Sequence, residues 1–340
     1  MLSHTPRTRP PRRAALAPCV ALAAATLAAM TLAASVASAA SAALARRVVA
    51  VSSPAAPPHA QSGKRADQKP SARPTPAPAP TAAPLKRTTA RQETRRFPYG
   101  GRLTVYGAPQ GSLTIEAWER AEVEIAAEVE LVADTEEDLA RLAAVNTFHL
   151  DDDVNHITVL TVGTHDRKYL KRAAKDFPKR LLGLPWKIDY RVRVPVMTDL
   201  EIYSGRGALT IKGVEGAVRL NAGESDPTVF SLAGGDVEAT LQGGTVSLDV
   251  TARSWRGRGA SLRLIRGDLN LTLPPNFSGY VNAEVLRTGS VENAYAGLVP
   301  RERTKPTERT LQGVAGSGGA TLSLTVGDGR VRIMQAVAAP

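Results

Sequence analysis

A chain of 340 residues has room for two domains, or for one large β domain with accessory segments. Its formal charge of +11 sits at one end: residues 1–96 carry 15 Lys/Arg against Asp67 and Glu93, whereas the rest holds 28 basic and 30 acidic residues, a net of −2. The body of the chain therefore offers no basic groove, and nucleic acid is not expected as a partner.

Cys19 is the only cysteine, which excludes an intrachain disulfide and a Cys-based zinc site. Aromatic residues make up 4% of the chain, so Val, Leu, Ile and Ala must supply most of a core. Residues 1–13 are polar and basic, with Arg7, Arg9, Arg12 and Arg13. An Ala/Leu-rich run follows from Ala14 to Ala45, ending with the small-residue sites Ala37-Ser38-Ala39 and Ala40-Ser41-Ala42. A basic stretch, an apolar run and an A-x-A site read as a signal peptide over 1–45. Retained, the same run is long enough to act as a membrane anchor. Either way the rest is exported, to the periplasm or the cell surface. Cys19 lies near the start of the apolar run, behind Pro18, which does not suit a lipid-attachment cysteine, and Arg12-Arg13 lacks a twin-arginine context. Residues 46–96 shift to Pro, Ala, Ser, Thr, Lys and Arg and are expected to form an extended linker, a spacer with nothing to build a core.

The folded part is expected from about Phe97, with a β-rich section over 97–196. RLTVYGA and SLTIEAW alternate apolar and polar residues around Pro109-Gln110-Gly111, as a hairpin or two successive β units would, and VEIAAEVEL continues as strand. Asp134 or Thr135 can cap a short helix whose first turn holds Glu136, Glu137 and Asp138, with Leu139, Leu142 and Ala143 on its apolar face. FHLDDD and HITVLTVG return to strand. The basic segment His165–Lys187 interrupts the pattern: Tyr169, Ala173, Phe177 and Leu181 fall at helical spacing among Lys168, Lys171, Arg172, Lys175 and Lys179. The expectation is a helical insertion packing its aromatics, including Trp186, onto the sheet, with at most a weak contact to a membrane surface through 165–187.

Over 197–337 short alternating units are punctuated by glycine: LEIYSGRG, ALTIKGVEG, AVRLNAGES, PTVFSLAGG, DVEATLQGG, TVSLDV, ASLRLIRG and DLNLTLPP. Parity with Leu209 and Val218 places Ile211 and Leu220 on the inner face. Asp328-Gly329, between two alternating runs, carries a turn signal. The fold expected is all-β, a solenoid-like stack of short strands with one short helix and a basic helical insertion in its N-terminal half.

VRVP followed by DLEIYSGRGALTIKGVEGAVRL, then LNLTLPPNFSGYVNAE, then GATLSLTVGDGRVRI resembles, in that order, a bacterial family known as putative adhesins. The resemblance spans about residues 97–335 and implies an exported β-repeat fold with no established catalytic residues.

Catalytic constellations are thin in the sequence pattern. Ser204-Gly205-Arg206-Gly207 is not followed by the Lys-Ser/Thr of a phosphate loop, and no G-x-S-x-G elbow occurs. His149, Asp151, Asp152, Asp153 and His156, near His165-Asp166, gather oxygen and imidazole groups without the spacing of a calcium loop, which leaves an ordinary solvated turn as the simpler reading. Asp236, Glu238 and Asp249 are the carboxylates that a polysaccharide hydrolase would have to bring together. No catalytic, cofactor or metal residue is assigned. The function expected is a non-enzymatic binding or adhesion-like module for a protein or polysaccharide at the cell envelope. A membrane-anchored sensory module is the alternative.

Overall fold

The structure is a computed structural model that describes residues 83–302 and 304–336, all within the compact unit Pro76–Pro340. The signal or anchor segment and most of the expected linker lie outside the described residues. Those that are described fold mostly as β, with seventeen strands and two α-helices.

Alternating sequence builds two ladders. The first begins with the antiparallel pair β5 (Thr147–Asp153) and β6 (His156–Val162), then continues in parallel through β2 (Arg102–Tyr106), β8 (Asp199–Ser204) and β10 (Ala217–Glu224). It passes through the first halves of β12 (Gly234–Val250), β13 (Arg256–Leu273), β17 (Thr321–Gln335) and β14 (Gly279–Asn293). Antiparallel β16 (Thr310–Ala315) and β15 (Leu298–Pro300) close it. The second ladder starts with β1 (Leu85–Arg96), β4 (Glu122–Ala133) and β7 (Trp186–Pro195), paired antiparallel. Parallel β3 (Leu113–Trp118), β9 (Leu209–Lys212) and β11 (Thr228–Leu232) follow, then the second halves of β12, β13, β17 and β14. Inner-face residues from both ladders, among them Val105, Ile202, Leu220, Ile115, Ile211 and Phe230, belong to one buried cluster. Ile211 and Leu220 are both buried, as their parity requires.

β12, β13, β17 and β14 each run through both ladders and turn the corner on a glycine. Gly244, Gly267, Gly329 and Gly289 stand in register with one another. Gly329 has φ +141, and a Cβ built there would overlap the carbonyl oxygen of Gly267 beneath it. Only glycine tolerates both conditions. Asp328-Gly329 is therefore a bend inside one strand and not the tip of a hairpin, because the ladder bonds to β13 and β14 continue through it. In the same way β2 and β3 do not form a hairpin about Pro109; each joins a different ladder.

The first helix follows its sequence signals: α1 (Glu136–Val145) is capped by Thr135, whose hydroxyl accepts from the Asp138 amide at 3.2 Å. The basic insertion is less regular than its spacing suggests. α2 (Arg167–Ala173) is only two turns long, capped by the Asp166 carboxylate, and its buried residue is Leu170, outside the expected stripe. Pro178 disfavours helix at Phe177, so the chain resumes only as a 3₁₀ turn at Lys179–Leu181. Leu181 is buried, Tyr169 and Phe177 are half-buried, and Ala173 is exposed.

Composition placed Leu85–Arg96 in the linker, yet this segment is β1, paired along its twelve residues with β4. Its side chains reach across to the first ladder. The Arg91 guanidinium lies 4.5 Å from the Phe148 ring centroid and donates to the Phe148 carbonyl at 2.9 Å, while Arg95 pairs with Asp152 at 3.4 Å. Glu93 bridges the two arginines, which hold its carboxyl below the usual range, the Arg91 hydrogen bond acting most strongly. β1 is thus held by backbone pairing and charge, which apolar composition does not reveal. A chain beginning at Phe97 loses this strap and bares an edge of β4. It should melt at a lower temperature than one beginning at Pro84 in parallel thermal scans by circular dichroism; equal midpoints would mean that β1 is dispensable.

Candidate functional site

Parallel in-register pairing turns sequence parity into rows of side chains running across strands, about 4.8 Å apart. On the outer face of the first ladder one such row contains Leu160, Tyr106, Tyr203, Asn221 and Thr240. Tyr106 and Tyr203 are stacked, with ring centroids 5.1 Å apart and planes 5° from parallel. Both remain exposed, at 42% and 37%, beside Leu160, which is exposed as well. The Tyr203 hydroxyl donates to Glu201 Oε1 at 2.8 Å, which fixes the ring and, through that carboxylate, raises the phenol pKa.

The row ends in a trough of about 540 Å³, within the range of small-molecule sites. Gly107, Gly205 and Gly223 lie along it. Tyr203 and His165 line it, with Asn221, Thr240, Gln242 and Ile265 along the remainder. Desolvation pushes the His165 imidazole pKa down, against the opposing pull of Asp166. The trough lining carries no charged side chain. Charges lie beside it: Glu201, Arg219 and Glu238 alternate along the neighbouring row, Arg206 pairs with Glu224 at 3.4 Å, and Arg263 follows Thr240 in the tyrosine row.

The residues singled out by sequence spread over the fold. Asp151, Asp152, Asp153 and His156 lie on the β5–β6 hairpin, where Asp153 faces His156 in register, His156 Nε2 bonds the Thr104 hydroxyl at 2.9 Å, and Asp152 meets Arg95. His149 faces Leu160 and packs edge-on against Tyr169, its ring centroid 5.8 Å away. Among the described residues no group of three such side chains is arranged to hold a metal ion. Asp236 and Glu238 project from the first ladder, Asp249 from the second, so the three do not converge. Ser204 and Gly205, dismissed as a phosphate loop, line the trough. The tyrosines were missed by sequence reasoning. Their signal was an aromatic at an outward position just before a glycine turn, in both LTVYGA and EIYSGRG.

The basic segment is tied down at Arg180, whose guanidinium donates twice to the Asp138 carboxylate, at 2.5 and 2.7 Å. This fork, ahead of the other neighbours, holds Asp138 below its ordinary pKa. A depressed carboxyl pKa adds stability that is present above the unfolded value of about 3.9 and is lost as pH falls through the folded value. Asp138→Asn should therefore lower the melting temperature at pH 7, and the gap to the parent should narrow as pH drops below about 4. A gap that does not change with pH would show that the fork contributes no charge-dependent stability. Among the described residues, no helix is long and apolar enough to cross a membrane.

No protein-family model matches the chain, and no curated protein matches it. Among solved structures it is similar to a "putative cell adhesion protein" from Clostridium sporogenes, at 12% identity and a TM-score of 0.39, covering 73% of this chain and 100% of that one. It is also similar to a "putative adhesin" from Bacteroides fragilis, at 9% identity and a TM-score of 0.23, covering 73% of this chain and 97% of that one.

Proposed function

We propose that this chain is an exported, non-enzymatic, adhesion-like binding module that works at the cell surface or in the periplasm. Its ladders act as a solenoid-like stack whose outer face meets an extended partner, and the Pro/Ala-rich segment ahead of them serves as a spacer. The observation that carries this reading is the stacked, exposed pair Tyr106–Tyr203 leading into an open trough. Aromatic rings left in water cost solvation that a monomer recovers only when something covers them, which is why exposed aromatic clusters mark contact surfaces.

Two further observations favour binding over hydrolysis and over a membrane-surface role. Asp249 stands on a different ladder from Asp236 and Glu238, so the three do not gather at one site, and Asp236 is paired with Arg258. The Asp138–Arg180 fork and the burial of Leu170 and Leu181 give the basic segment a packing role. Co-sedimentation of the purified chain with washed bacterial cell envelopes tests the reading. Saturable retention at about 0.15 M salt is expected, because contacts made through uncharged groups are not screened. Failure to sediment above a protein-only control would overturn it.

A further inference from the structure

We infer that the Tyr203 trough is a binding site for a neutral polysaccharide, one pyranose ring of which covers the free face of Tyr203. The inference rests on the binding-module reading and narrows it to one chemical class of ligand.

The chemistry of the lining makes the selection. Because Tyr106 stacks on one face of Tyr203, the ring's other face is turned toward Asn221 and the trough. A pyranose has a face of C–H groups that covers such a ring and a rim of hydroxyls that must be hydrogen-bonded once water is displaced. Asn221 and Gln242 each supply a donor and an acceptor through a neutral amide, and Thr240 adds a hydroxyl. A sugar hydroxyl likewise gives and accepts, so these groups match it, whereas an ionised ligand would find no partner charge in the lining. The trough is open to solvent, so one ring of a longer chain can enter it.

A peptide adding itself as a strand is disfavoured at this place. β2, β8, β10 and the first halves of β12 and β13 are each paired on both sides, so no unpaired backbone edge faces the trough. Recognition must run through side chains alone. The orientation of Tyr203 is set in advance by its bond to Glu201, which lowers the ordering cost of using it as a platform.

The test is native affinity electrophoresis of the full chain through gels containing mannan, dextran or xyloglucan, with acidic alginate for comparison. At least one neutral polymer should retard the chain. Tyr203→Ala should weaken that retardation about tenfold, the loss of one stacked ring. Tyr203→Phe, which keeps the ring and drops the Glu201 bond, should retain most of it. Asn221→Ala should weaken it too, and Lys212→Ala, on the second ladder, should leave it unchanged. Circular dichroism melts of each variant confirm that it is folded. Retardation by alginate alone, or undiminished retardation in folded Tyr203→Ala, overturns the inference, as does the absence of retardation in every neutral polymer. If the chain nonetheless sediments with cell envelopes and Tyr203→Ala sediments equally, the trough fails and the binding-module reading stands. If neither assay shows binding, both fail.

Discussion

The constraint on which this structure depends is the close approach of one backbone to the next at the corner shared by both ladders. Gly244, Gly267, Gly329 and Gly289 meet there in register, each with φ between +118 and +141. A side chain at Gly267 or Gly329 would occupy the carbonyl of the strand beneath. Because each corner is glycine, β12, β13 and β17 pass from one ladder to the other in unbroken register, and β14 does so with a bulge between Val285 and Thr288. The register is then fixed twice, once in each ladder, and apolar side chains from both meet in a single core.

Register is also what makes a surface. A residue that alternates outward on one strand acquires neighbours above and below that are far away in sequence. Tyr106, Tyr203, Asn221 and Thr240 come together in this manner from four strands. Gly205 and Gly223 beside this row serve close backbone approach, since a Cβ there would meet the main chain of Pro109 or of Gly205.

Much of the fold was legible because a half-buried strand has a period of two. Ile211 and Leu220 could be placed inside from their neighbours' parity, and the helix cap could be narrowed to Asp134 or Thr135, of which Thr135 is the cap, from the acids that follow. What sequence could not convey was partnership across distance. Asp328-Gly329 has the composition of a hairpin tip; it is a bend because β13 and β14 hold both sides of it. Leu85–Arg96 looks like linker because its stability comes from twelve pairings with β4 and from Arg91 over Phe148, neither of which leaves an apolar pattern. The stripe at Tyr169, Ala173, Phe177 and Leu181 assumed one continuous helix, whereas α2 ends at Ala173 and the chain turns again only at Lys179–Leu181. The trough was the least legible part. Its residues are ordinary polar-face positions until the register sets them side by side.

The measurement that tests this account most directly is the stability of Gly329→Ala against chemical denaturant. A methyl group there meets both a strained φ and the Gly267 carbonyl, so the account predicts a loss of about 2–4 kcal/mol. Gly183→Ala, at a site with open space around it, should be neutral and serves as the control. A Gly329→Ala chain as stable as its parent would contradict the stacked corner and, with it, the register that assembles the tyrosine row.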